Sequence, residues 1–125
     1  MTMRKPIPKE IREQVYAKYN GHCAYCGCEL DYKDMQIDHF SSVFGAESKG
    51  MMPDNTIDNL MPSCRMCNYY KGSCTLEQFR YNVQNTIMCN VRRPFDYRLA
   101  VKYGLVKENI HPIKFYFEQY DKKAD

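Results

Sequence analysis

A small α+β fold follows from three features of the sequence. Several stretches repeat apolar residues at helical spacing, two short runs read as strands, and two Cys-x-x-Cys pairs bracket those runs. With 125 residues, the chain suits one domain, 1–125, able to bury a core of modest size.

The elements follow in chain order. "IPKEIREQVYAKYNG" predicts a helix: Pro8 fits its first turn, Ile11, Val15 and Tyr19 recur every four residues, and Asn20-Gly21 stops it. "HCAYCGCEL" is a tight cysteine-rich turn. "MQIDHF" has a β-branched centre and predicts a short strand. Residues 41–58 are rich in Ser, Gly, Asp, Asn and Pro and read as a long loop, of a length that in small domains is more often functional than idle. "NLMPSC" is a second extended piece, and "RMCNYYKG" a short helix closed by Gly72.

"TLEQFRYNVQNTIMC" predicts a helix with a Leu76, Phe79, Val83, Ile87 stripe, and Thr75 and Gln78 fit a capping box at its start. Pro94 breaks the chain, "FDYRLAVKYG" predicts a further helix with Gly104 past its end, and the alternation of Ile113, Phe115 and Phe117 predicts a C-terminal strand.

Charge is mildly basic, +3 with a pI near 8.4, which is compatible with a nucleic-acid partner. Much of the excess lies in residues 1–20, where Arg4, Lys5, Lys9, Arg12 and Lys18 face only Glu10 and Glu13. The opening "MTMRKPIPKE" has no apolar run of a secretory signal, and no stretch approaches the roughly 18 apolar residues of a membrane span. A cytoplasmic protein with no membrane association is the expectation, and there seven cysteines point to metal rather than to disulfides.

Cys23-x-x-Cys26 and Cys64-x-x-Cys67 each let one turn aim two sulfurs at one ion, and two such turns complete the closed four-sulfur geometry of structural Zn2+. Cys28, Cys74 and Cys89 fall outside the paired spacing and read as free thiols. Between the pairs stands "IDHF", with Asp38 and His39 adjacent. Alone, this dipeptide is more often a surface or capping pair than metal ligands or a base beside a metal. His22 and His111 carry no motif, and the Tyr69-Tyr70 pair reads as packing.

Taken together, "CAYCG", "IDHF" and "DNLMPSCRMCNYYKG" resemble, in order and spacing, the zinc-finger form of the HNH endonuclease family, in an HNN variant. The resemblance covers residues 11–72 and leaves 73–125 as a helical extension ending in a strand. It implies a ββα-metal, or His-Me finger, core of two antiparallel strands and a helix. It also implies metal-dependent hydrolysis of DNA, with His39 as general base, Asp38 and Asn68 holding a divalent Mg2+ or Mn2+, Asn59 orienting the histidine, and Lys71 near the phosphate. Small members of this family often come from phages or mobile elements. Two departures stand out: the stretch from His39 to Asn59 is longer than usual, so that Asn55 competes with Asn59, and "FSS" follows the histidine in place of "IIP". The alternative expectation is a zinc-stabilised nucleic-acid-binding module without chemistry, which needs the knuckles and the basic front helix and leaves "IDHF" unexplained.

Overall fold

The computed structural model describes residues 7–40 and 56–120. Helix α1 runs Lys9–Lys18 from Pro8, which takes the capping position, and ends before Asn20 and Gly21, both at positive φ. Val15 and Tyr19 of its stripe are buried, with Ile11 packed against them. The chain turns through residues 20–30, where Leu30 N–H donates to Gly21 and His22 bridges Glu29. A single 3-10 turn, Tyr32–Asp34, leads into β1, Gln36–His39.

Strand β2, Leu60–Ser63, pairs antiparallel with β1 in the register Ile37–Pro62 and Asp38–Met61, and a 3-10 turn over Ile57–Asn59 precedes it. All four β2 residues are buried, because α1 covers the sheet. The proline is tolerated because this is a two-stranded sheet, in which each strand has a free edge. Most of the expected loop at 41–58 lies outside the described residues, as does Asn55.

Helix α2, Arg65–Lys71, follows at once, and Gly72 closes it at φ 53. The next predicted helix forms in three parts that run on without a break: α3 (Leu76–Tyr81), a π-helical turn (Asn82–Thr86) and α4 (Ile87–Val91). Thr75 caps it by accepting the Gln78 N–H. The reciprocal half of the expected capping box is absent among the described contacts, since the Gln78 side chain donates to Asn82 instead. Phe79 is buried in the core, stacked on Phe115 and edge-on to Tyr25, with Leu76 and Val83 packed against the core's edge. Its truncation to alanine would cost about 3–5 kcal/mol by the usual cavity arithmetic. Helix α5 is Phe95–Lys102, with Gly104 beyond it at φ 75.

The C-terminal strand does not form. Residues 113–115 are irregular and the chain enters a short helix, α6 (Tyr116–Gln119), whose first turn is held by the Glu118 carboxylate accepting the Phe115 N–H. The apolar alternation is real, since Phe115 is buried and Phe117 packs on Tyr25, but neither strand of the sheet lies alongside to pair with it. The Tyr116 and Phe117 N–H groups donate instead to the carbonyls of Tyr25 and Ala24 in the first knuckle. Arg80 fixes this tail from the other side, with its guanidinium on Glu77, Glu118 and the Ile113 carbonyl and over the Phe115 ring.

Candidate metal centre

Two elements deliver the four sulfurs. Cys23 and Cys26 sit on the turn after α1, and Cys64 and Cys67 on the N-terminal turn of α2. β2 brings the two turns together, because Ala24 N–H donates to the Pro62 carbonyl at 2.8 Å and so registers the first knuckle against the strand that leads to the second. All four Sγ atoms lie within 4.8 Å of one another, and Cys26 and Cys64 are 3.8 Å apart. A tetrahedral zinc with Zn–S bonds of about 2.3 Å requires sulfurs about 3.8 Å apart, so the donor set and its spacing fit that ion.

The backbone prepares the sulfurs for charge. Tyr25 N–H donates to Cys23 Sγ and Cys67 N–H to Cys64 Sγ, each at 3.4 Å. The Cys23 thiol is held down to about 4, first by a hydrogen bond from Cys67 and then by neighbouring backbone N–H groups, against the opposing effect of burial. The Cys67 thiol is pushed up, first by that same bond with Cys23. Cys23 is thus the sulfur most readily held as a thiolate, the form in which it ligates a metal. Cys28 stays outside the sulfur set and is exposed, but its carbonyl accepts the Cys23 N–H at 2.8 Å and closes the knuckle. Cys74 and Cys89, like the other five cysteines, are in no disulfide.

Asp38 and His39 are both buried, at 6% exposure. One oxygen of the Asp38 carboxylate is held by two protein groups. Its Oδ2 accepts the Tyr25 hydroxyl at 2.5 Å and pairs with the Lys71 ammonium at 3.1 Å. Lys71 is itself 1% exposed, and its second contact is the His39 carbonyl at 3.4 Å. Burial, and then the Asp38 charge, push the Tyr25 phenol up, so it remains a donor. The cation beside Asp38 is therefore a lysine supplied by the fold.

The remaining expected site residues sit around this pair. Asn59 ends the 3-10 turn, buried, and its carbonyl accepts the Phe40 N–H at 2.7 Å, extending the strand pairing by one step. Asn68 lies in the middle of α2 with its backbone N–H on the Cys64 carbonyl, and Cys64 caps the helix. His22 is half-buried and stacks on Tyr116, whereas Tyr69 is 87% exposed and so does not pack as expected.

These placements correct the enzymatic expectation. Among the described residues, the side chains that gather as a metal-binding group are cysteines alone, Cys23, Cys26, Cys64 and Cys67. A four-sulfur site is closed and structural, with no position left for substrate or water. Asp38, the carboxylate expected to hold a catalytic ion, is instead paired with the Lys71 ammonium. A metal-dependent nuclease with Mg2+ or Mn2+ on Asp38 is therefore not supported. Lys71, expected beside a phosphate, is a buried counter-ion.

Two parts of the arrangement escaped the sequence. Tyr25 inside the first knuckle links the zinc turn to Asp38, and no motif announces it. Arg12 and Lys18 point into the structure: Arg12 donates to the Tyr32 and Met35 carbonyls, and Lys18 to those of Ile57 and Leu60 at 2.7 and 2.9 Å. A signal for Lys18 existed, since it lies three residues after Val15 on the flank of the buried stripe.

Comparison with known proteins agrees on the frame. Residues 23–73 match the HNH endonuclease family. A CRISPR-associated endonuclease Cas9 of Corynebacterium diphtheriae is 33% identical over 70 residues, which is 55% of this chain and 6% of that protein. The Septu protein PtuB of Bacillus thuringiensis is 38% identical over 58 residues, 43% of this chain and 20% of that protein. The crystal structure of the Type II-C Cas9 enzyme from Actinomyces naeslundii shares the fold, with a TM-score of 0.50 at 23% identity over 58% of this chain and 7% of that one. The chain thus spans a small fraction of these larger relatives. No helix among the described residues is long and apolar enough to cross a membrane.

Proposed function

Residues 23–73 form an HNH domain with a four-cysteine metal cluster, and on that premise we propose that the chain is a zinc-stabilised DNA-binding module without hydrolytic chemistry. The observation that carries the reading is the closure of both polar centres. The sulfur site has four protein donors and no open position, and the Asp38 carboxylate is held by Lys71 and Tyr25. Zinc, when bound, would link α2 to the turn after α1 and hold the sheet between them. Zinc has no redox chemistry, and in a closed site it acts by folding energy alone.

DNA as the ligand is supported by the match of residues 23–73 to the HNH endonuclease family and by a relative named as an endonuclease. The net charge of +3 is of the right sign. The test is fluorescence anisotropy of labelled duplex and single-stranded DNA across salt concentrations, run beside a plasmid-nicking assay with Mg2+ or Mn2+. The expected outcome is binding with Kd of about 10⁻⁴–10⁻⁶ M at physiological salt, weakening as salt rises, and no nicking above the buffer control. Absence of binding to either DNA would overturn the reading. So would ion-dependent nicking that disappears in His39→Ala.

A further inference from the structure

If the module binds DNA, the basic front helix is poorly placed to do it. Arg12 and Lys18 are turned onto backbone carbonyls, Lys71 is buried on Asp38, and Arg80 is locked between Glu77 and Glu118. Among the described residues, the exposed positive charge gathers elsewhere, on the tip formed by the end of α4, helix α5 and the chain after it. Over residues 92–108 there are five basic residues, Arg92, Arg93, Arg98, Lys102 and Lys107, against Asp96 and Glu108. Glu108 is already consumed, since its carboxylate takes the Arg92 guanidinium at 2.7 Å and the Tyr97 hydroxyl at 2.8 Å.

The tip does not serve the core. Neither α4 nor α5 contains a buried residue. It is nonetheless given a definite shape by the Arg92–Glu108–Tyr97 clamp, which ties its two limbs across 16 positions of sequence. On this frame two aromatic rings face solvent, Phe95 at 65% and Tyr103 at 74% exposure, and the Arg98 guanidinium lies 5.8 Å from the Phe95 ring centre. Exposed aromatics interleaved with basic side chains are the chemistry of single-stranded nucleic acid recognition: cations follow the phosphates, and rings stack on bases without regard to sequence. A duplex presents its phosphates but not its base faces, so it would use the charges and leave the rings idle.

We propose that the tip, residues 92–107, is the nucleic-acid contact surface, taking single-stranded DNA with Arg93, Arg98, Lys102 and Lys107 on the phosphates and Phe95 and Tyr103 against bases. This deepens the DNA-binding reading and rests on it. Exposed Leu99, Val101 and Leu105 also lie on the tip, so a second copy of the chain is the competing occupant, disfavoured by the like charge both copies would bring together.

The test uses the whole zinc-loaded chain and a labelled oligothymidylate of about 12 nucleotides, within the span usual for one such surface. Arg98→Ala/Lys102→Ala should lower the slope of log affinity against log salt by about 1.4, at about 0.7 per phosphate contact on a single strand. Tyr103→Ala should weaken the single strand about tenfold and a duplex of equal length much less. Both sites are exposed, so zinc content and melting temperature should stay at the wild-type values. Variants that bind the oligothymidylate within twofold of wild type would overturn the tip while leaving the DNA-binding reading in place. A wild-type chain that binds no DNA would remove both. Concentration-dependent dimerisation in gel filtration, abolished by Leu105→Ser, would assign the tip to self-association and overturn the proposal.

Discussion

Replacing Lys71 by methionine keeps the length of the side chain and removes the ammonium. The Asp38 carboxylate then stays at 6% exposure with the Tyr25 hydroxyl still donating to it, and the space once filled by the charge is sealed, since Lys71 is 1% exposed. Breaking a buried ion pair from one side typically costs about 3–5 kcal/mol, because the surviving charge is stranded. The Tyr25 bond puts the expectation at the lower end, about 3 kcal/mol. For a domain whose whole stability is of order 5–15 kcal/mol, that is a large share, and it corresponds to a fall in melting temperature of about 10–15 °C. The double variant Asp38→Asn/Lys71→Met removes both charges and should recover at least half of the loss, whereas additive losses would mean no interaction. The assay is thermal unfolding followed by circular dichroism, with zinc content measured in each variant so that metal loss is not mistaken for ion-pair loss. A single variant within about 1 kcal/mol of wild type, or a double variant no better than the single, would refute the assignment of Lys71 as the obligatory counter-ion of Asp38.

Cys64→Ser removes one of the four donors, so zinc per chain and melting temperature should fall together; unchanged elemental zinc would exclude this cysteine as a ligand. Gly27 sits at φ +83, and a Cβ there would lie 2.8 Å from the Tyr116 ring, so Gly27→Ala should cost about 2 kcal/mol in chemical denaturation, with a loss below about 0.5 kcal/mol contradicting the close approach. Hydrogen bonds from Arg92 and then Tyr97 hold the Glu108 carboxyl down to about 2 from its ordinary 4.5. A carboxylate depressed in the folded state adds stability that is complete above about 4.5 and is lost as pH falls towards 2, so the tip clamp should open across that window, and Glu108→Gln compared with wild type at neutral pH should show faster amide exchange at residues 92–108.

How much of this could be read from the chain depends on whether the physics is local. The knuckles could, because two residues between thiolates is a geometric requirement of a single turn. The strands could, because β-branched and apolar runs flanked by turn formers have few other uses. Gly72 and Gly104 were legible for the same reason: each closes a helix at positive φ. The tail was not. Ile113, Phe115 and Phe117 alternate as a strand would, yet a strand needs a neighbour, and the two-stranded sheet ends elsewhere. The fate of the charged residues was illegible for a similar reason. Lys71 after the second knuckle, or Arg12 on the first helix, looks the same in sequence whether it meets water, phosphate or a buried carbonyl; what decides is the distant residue opposite, Asp38 for one and Tyr32 for the other. A matched motif marks Asp38 and says nothing about which cation reaches it, here Lys71.

The pairing of the Tyr116 and Phe117 N–H groups with the first knuckle has a bearing on how the chain is made. A ribosome releases Cys23 and Cys26 long before Cys64 and Cys67, and all four cysteines well before residue 117. The emerging chain can therefore complete its sulfur site, and capture zinc, while the aromatic face of Tyr25 is still uncovered. Phe115 and Phe117 arrive last and shut that face, closing a loop of some 90 residues against a turn that the metal has already stiffened. A nascent chain starved of zinc would present the latecomers with a slack turn, and the entropy of that closure would then fall on the tail alone.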